Sequence, residues 1–195
     1  RWLKARAHSM KARADRVGVI GISSGGHQGM LLAMRHKDPR YGALPLAGGE
    51  GIDARLQCVV MCWPVIDPIG RYLYAKDVQA AGGTYPEEID RVLPSHVAYW
   101  VTEAAMTEGA PANALEAGET VDLPPVLVVQ GGADRMHPRP HLDRFVAAYR
   151  ERGGKIDVEI YDGEVAGFIM RNTVNPAHAT AGLERVIAFV HEKLA

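Results

Sequence analysis

Cysteine is scarce in this 195-residue chain, which has two. Cys58 and Cys62 lie four residues apart in LQCVVMCW, a β-branched run that reads as a buried strand. On a strand that spacing is about 13 Å, too far for a disulfide. It is not the spacing of a redox or zinc pair either, so both are expected as buried thiols, in keeping with a reducing, cytoplasmic setting. Net charge is nearly absent, since 22 basic and 23 acidic side chains leave −1. That excludes a bulk polyanion such as nucleic acid as partner. No run approaches the roughly 20 apolar residues needed to span a bilayer, and no repeat or low-complexity tract is present. An initiator Met is also missing. The basic, helical opening RWLKARAHSMKARA fits a mitochondrial-type presequence less well than a chain whose beginning lies elsewhere.

What is present is hydrophobic residue, 47% of the chain, enough for one domain with a substantial core. Four short apolar runs, Arg16–Gly21, Leu56–Trp63, Pro125–Gln130 and Ile156–Tyr161, alternate with longer amphipathic stretches. The first three lack polar alternation, as parallel strands covered on both faces do. The fourth alternates more and is expected nearer an edge. Helices are predicted over Gly26–Lys37, His141–Arg152 and His178–Leu194. Strands alternating with helices predict an α/β fold, a mostly parallel sheet with helices on both faces. From Ile69 to Asp122 there is no strand pattern, only predicted helices at Pro86–Val92 and His96–Met106. Residues 69–122 are therefore expected to form a helical cap inserted into a core of 1–68 and 123–195, since a connection that long is a lid or a functional insertion.

The first strand runs into Gly21-Ile22-Ser23-Ser24-Gly25 and then a helix. This is G-x-S-x-G in the strand–turn–helix setting that gives the motif its meaning. The frame selects Ser23, because Ser24 would need Gly at position 22, where Ile stands. A serine hydroxyl attacks only when a base takes its proton, so it must project from a tight turn within reach of an imidazole. The glycines are expected to make room for that turn, and the backbone N–H of Ser24 is the expected oxyanion donor. A phosphate cradle would need the Walker pattern or G-x-G-x-x-G, and neither is there; a plain turn with a capping serine is the remaining alternative.

The third strand ends in VLVVQGGADRMHP, which places Asp134 beyond the strand's C-terminal end, where ligands gather in parallel sheets. GISSGGHQG, LPPVLVVQGGADRMHP and EIYDGEVAGF resemble the nucleophile, acid and histidine segments of the α/β-hydrolase superfamily, in the chain order Ser, acid, His. They are most similar to carboxylesterases and hormone-sensitive-lipase-like serine esterases. The resemblance implies a Ser-His-Asp serine esterase with Ser23 and Asp134 in the triad, no cofactor, and a small-molecule ester as substrate.

The sequence departs from that family in two places. Where the family typically reads Gly-x-x-His-Gly-Phe, this chain reads Gly163-Glu164-Val165-Ala166-Gly167-Phe168. Ala166 occupies the position of the expected histidine. Removing a triad histidine costs about a millionfold in turnover, so the resemblance predicts a nearly inert form. Three explanations stand: a deliberate His-to-Ala replacement, a natural relative that binds without cleaving, or a triad rerouted through another histidine. His137, three residues after Asp134, is the best rerouted candidate, although an exposed loop side chain is the expectation for it. His178 is likewise expected at the surface. His137 and His141 are spaced i,i+4, but Pro138 and Pro140 are expected to prevent the helix that would bring both to one metal, so no metal is predicted. The second departure is that no His-Gly-Gly loop precedes the nucleophile, and the first strands of the usual sheet are absent. The chain is accordingly expected to be the C-terminal part of a longer enzyme, with the missing N-terminal part as a partner; a homo-oligomer stays open.

For the substrate pocket the candidates are His27, Trp63 and Phe168, with Val65, Tyr99, Trp100 and Met106 adding apolar wall. Asp67 before Pro68 reads as a turn residue. The reading is a carboxylic ester hydrolase acting by acyl transfer through Ser23. Its alternatives are an amide- or peptide-cleaving relative and a small-molecule-binding protein on a hydrolase scaffold.

Overall fold

The computed structural model describes residues 1–82, 88–171 and 173–195, with backbone alone for 88–92. Four parallel strands, β1 (Val19–Ile22), β2 (Val59–Cys62), β3 (Val126–Gly131) and β4 (Ile156–Tyr161), pair in the order β1-β2-β3-β4. The helices are α1 (Trp2–Ala5), α2 (Ser24–Arg35), α3 (Pro39–Gly42), α4 (Pro68–Ala80), α5 (Glu88–Trp100), α6 (Glu103–Glu108), α7 (Pro111–Glu116), α8 (Arg139–Glu151) and α9 (Pro176–Leu194). Of the helix predicted at Pro86–Val92, Pro86 and Glu87 lie outside the described residues, and Glu88 onward belongs to α5.

The pleat of the two central strands explains their unbroken apolar runs. Val59 and Met61 of β2, with Val126 and Val128 of β3, face one core, where Met30 and Met34 of α2 and Phe145 and Tyr149 of α8 pack on them. Cys58, Val60, Cys62, Leu127 and Val129 face the other, against Val186 and Phe189 of α9. A strand buried on both sides has no polar face to alternate. Both cysteines are buried and free, and burial pushes the Cys62 thiol up to about 11.

One expectation is corrected. The first strand is not covered on both faces, because β1 is an edge. Val19 and Gly21 turn toward α2, while Ile20 and Ile22 remain 55% and 41% exposed. α9 crosses that opposite face over β2 and β3 and does not reach them. No helix holds both His137 and His141, as Pro138 and Pro140 led one to expect: Pro138 is the cap of α8 and Pro140 lies in its first turn, where proline's missing N–H and fixed φ cost nothing. His141 is therefore helical and His137 precedes the helix.

Within 69–122, α4, α5 and α6 contact one another, whereas α7 packs Ala112, Ala114 and Leu115 into the core beside α2 and α8. Arg35 of α2 ties this side together, pairing with Glu108 and Glu119, both at 2.7 Å. Asp67 is the N-cap of α4, accepting from Gly70 N–H at 2.8 Å, and its other oxygen meets Arg144 at 3.1 Å.

Candidate active site

Ser23 sits between the end of β1 and the first residue of α2 with φ 53 and ψ −118. Non-glycine residues seldom hold positive φ, and such a conformation costs on the order of 1–3 kcal/mol. It is held from both sides. Ser23 N–H donates to Cys62 O at 2.9 Å, and Ser23 O accepts from Gly26 and Val65 N–H at 3.1 and 3.2 Å. The glycine requirement is real at Gly21, where a Cβ would lie 2.4 Å from Gly25 O. It does not apply to Gly25 as expected, where a Cβ would meet nothing within 4 Å; the second tight position is Gly26, 3.2 Å from both Gly21 O and the Pro64 side chain.

The hydroxyl meets an imidazole from the loop after β3. Ser23 Oγ lies 3.2 Å from His137 Nε2, and His137 Nδ1 lies 2.9 Å from Asp134 Oδ2. Asp134 Oδ1 accepts from the N–H of Met136 and His137 at 2.9 and 3.1 Å. Gln130 of β3 donates to His137 O at 2.8 Å. A carboxylate only accepts, so Nδ1 carries the ring proton and Nε2 presents its lone pair to Ser23. The expectation of an exposed His137 is thereby corrected, since it is 6% exposed. Its backbone is pinned at both ends by Asp134 and Gln130, which turns the ring inward. The three residues sit at the C-terminal ends of β1 and β3.

Ala166 is half-buried and packs against the second core cluster, which contains Trp63 and Phe168. Trp63 and Phe168 themselves are corrected as pocket candidates: they are 5% and 0% exposed, with ring centroids 6.3 Å apart in that core beneath α9. His178 is not a free surface side chain, standing 3.3 Å from Glu164 Oε1 and 5.7 Å from the Tyr161 ring.

A cavity of about 390 Å³ opens at Ser23, walled by Ser24, His27, Val65, Met136 and, from α4 and α5, Arg71, Ser95, His96, Tyr99 and Trp100. His27 Nε2 donates to Gly109 O at 2.6 Å, and its ring meets Trp100 edge-on at 5.4 Å. Burial lowers its pKa, against the Gly109 hydrogen bond. Gln28 donates to Tyr99 Oη at 3.2 Å, so α2, which Ser23 caps, also ties to α5. Ser24 opens α2, where the first backbone N–H groups have no carbonyl partner within the helix. Met106 is buried outside the cavity. Arg71, Ser95 and His96 were not foreseen; nothing in the spacing of the insertion brings α4 and α5 over Ser23. The D-R-M-H spacing just beyond a strand was the available signal for His137.

A strained serine between strand and helix, with an imidazole and a buried carboxylate at the C-terminal ends of parallel strands, defines the α/β-hydrolase class. Comparison agrees: the sequence profile of the alpha/beta hydrolase fold matches residues 1–170, and the chain belongs to that family. It is similar to solved carboxyl esterase 2 from the mycorrhizal fungus Tuber melanosporum, with TM-score 0.70 and 17% identity over 100% of this chain and 60% of that one. EstE1, a thermostable carboxylesterase cloned from a metagenomic library, gives TM-score 0.69 and 20% identity over 100% and 60% of the two chains. Esterase 2 of the planctomycete Thermogutta terrifontis in its propionate-bound form gives TM-score 0.68 and 19% identity over 98% and 61%. The chain thus spans about 60% of the length of these structures. No curated protein matches it. Among the described residues no helix is long and apolar enough to cross a membrane.

Proposed function

We propose that this chain carries the acyl-transfer machinery of a carboxylic ester hydrolase, with His137 rather than the residue at 166 as general base. The observation that carries this is the continuous line Ser23 Oγ, His137 Nε2, His137 Nδ1, Asp134 Oδ2, with separations of 3.2 and 2.9 Å. Ser23 attacks the ester carbonyl as Nε2 takes its proton. The oxyanion forms toward the N–H of Ser24, and the imidazolium gives the proton to the departing alkoxide, leaving an acyl-serine. A water deprotonated by the same imidazole then releases the acid and restores Ser23. Asp134 holds the Nδ1–H tautomer and offsets the imidazolium charge. The solved structures it resembles are named as esterases, which favours an ester over an amide as substrate.

The test is turnover of short aryl esters together with labelling by a fluorophosphonate. The unsubstituted chain is expected to do both. Ser23→Ala should abolish labelling, and His137→Ala should lower kcat by about 10⁴-fold or more. Unchanged turnover in His137→Ala would sink the assignment of the base. Ala166 favours one second reading, a ligand-binding protein on this scaffold; a folded chain that neither turns over nor labels would support it.

A further inference from the structure

His96 on α5 is a buried group that the acyl-transfer machinery does not use. It is 7% exposed and lines the Ser23 cavity. Burial first, then the charge of Arg71 and the nearby His27, hold its pKa to about 4. At neutral pH the ring is therefore uncharged, with one N–H and one lone pair. Arg71 Nη1 lies 3.5 Å from His96 Nε2. A guanidinium only donates, which makes Nε2 the acceptor and leaves the ring proton on Nδ1. That atom is buried and has no hydrogen-bond partner. Buried donors in folded chains are nearly always satisfied, so an orphan N–H on the wall of a cavity marks the place of a ligand's acceptor. No spare cation accompanies it, because Arg71 already has interactions of its own. A carboxylate brought here would be buried without a free counter-ion, whereas a neutral oxygen asks only for the N–H.

We infer that the cavity takes an ester whose acyl or alcohol part carries a neutral acceptor oxygen, a ketone or an ether, with His96 Nδ1–H as its donor. A volume of about 390 Å³ leaves room for such an arm beside the scissile group, and Val65, Trp100 and Met136 give the rest of the arm an apolar surround. This deepens the esterase reading and rests on it. His96 is a specificity residue here and takes no part in the acyl transfer.

Binding without turnover tests it. In the full 195-residue chain with Ser23→Ala, NMR titration compares ethyl levulinate, whose acyl arm ends in a methyl ketone, with ethyl isocaproate, which has a methyl group in place of the ketone oxygen. The ratio of the two affinities is expected to fall about fivefold or more on adding His96→Phe, the worth of one hydrogen bond. His96→Asn, whose amide sets an N–H where Nδ1 stood, should keep that ratio within about twofold. Ethyl levulinate, but not ethyl isocaproate, should also shift the His96 Nδ1–H resonance of the Ser23→Ala chain. Monoethyl succinate should bind no more tightly than ethyl levulinate. A ratio unchanged by His96→Phe, a resonance that does not respond, or undetectable binding of both esters overturns the inference, as does a preference for the half-ester, which would put an anion at this wall. Should His96→Phe fail to fold, the resonance decides. Failure of the esterase reading is seen separately, as aryl-ester turnover that persists in Ser23→Ala.

Discussion

The loops after β3 and β4 emerge from neighbouring parallel strands, yet they have divided their work. The β3 loop carries Asp134 and His137 to Ser23. The β4 loop, in which the family resemblance places the histidine, carries Ala166 and a carboxylate, Glu164, that is fully buried. Glu164 accepts from the N–H of Asn175 and Val174 at 2.7 and 2.9 Å and from the Thr173 hydroxyl at 3.2 Å. It fastens the approach to α9. The two loops are also joined directly: Gly132 N–H donates to Tyr161 O and Ala133 N–H to Glu164 O, each at 2.8 Å. One loop thus presents reactive groups and the other is the abutment it leans on.

The sharpest way to break this division is at Asp134. Asp134→Asn keeps the shape of the β3 loop but offers an amide N–H₂ in place of a pure acceptor, so His137 is no longer held with its proton on Nδ1. Turnover of an aryl ester is expected to fall by about 10⁴-fold, with the melting temperature reporting the smaller cost of lost loop hydrogen bonds. A modest loss of activity would mean that the β3 loop does not orient the base.

The second test moves the abutment. A Cβ on Gly131 would stand 2.2 Å from Glu164 O, closer than backbone atoms allow. Gly131→Ala must push the loops apart, at a cost of about 1–3 kcal/mol. Because the displaced segment is the one that holds Asp134, kcat should fall by about 100-fold in protein that still melts cooperatively. Stability lost without activity would show that the β3 loop holds its geometry unaided.

This shared footing explains what could be read from the sequence. β4 was predicted residue for residue, and the two-sided runs of β2 and β3 announced a sheet with helices on both faces. Ser23 was legible because G-x-S-x-G has a local mechanism. The burial of His137 was not, because it depends on Gln130 and Asp134 turning the loop inward, and loop direction has no period. Trp63 and Phe168 read as pocket residues from their positions near strand ends, but α9 covers them, and nothing local specifies where a terminal helix crosses. Arg71 and His96 come together only through the packing of α4 on α5.

Glu164 gives a test in which stability moves and chemistry does not. Burial works against its charge, but the N–H groups of Val174 and Asn175, the Thr173 hydroxyl and His178 outweigh it and hold the carboxyl below its ordinary 4.5. A carboxyl lowered in the folded state contributes stability that is complete above about pH 4.5 and is lost as pH falls through the lowered folded value. Glu164→Gln sets an amide N–H₂ against a backbone donor, so its melting temperature should drop by several degrees at pH 7. The gap to the unsubstituted chain should narrow below pH 4.5, while kcat stays within about tenfold. A loss of turnover like that of Asp134→Asn would mean the β4 loop takes part in the chemistry.

The smallest effect is expected from Ala166→His, and it bears most directly on which loop owns the base. Ala166 packs beside the Trp63, Phe168 and Tyr161 cluster, and Nε2 of His137 already stands 3.2 Å from Ser23 Oγ. A serine hydroxyl has one proton to give, so a second imidazole adds little where the first is oriented by a buried carboxylate. Asp134 has, moreover, committed Oδ2 to His137 and Oδ1 to two backbone N–H groups, leaving a new histidine without the partner that would fix its tautomer. Turnover should therefore change by less than about threefold, and Ala166→His should not rescue His137→Ala. A rise of several orders of magnitude would reverse the comparison, making the β4 loop the seat of an absent base and the contact between His137 and Ser23 a substitute for it.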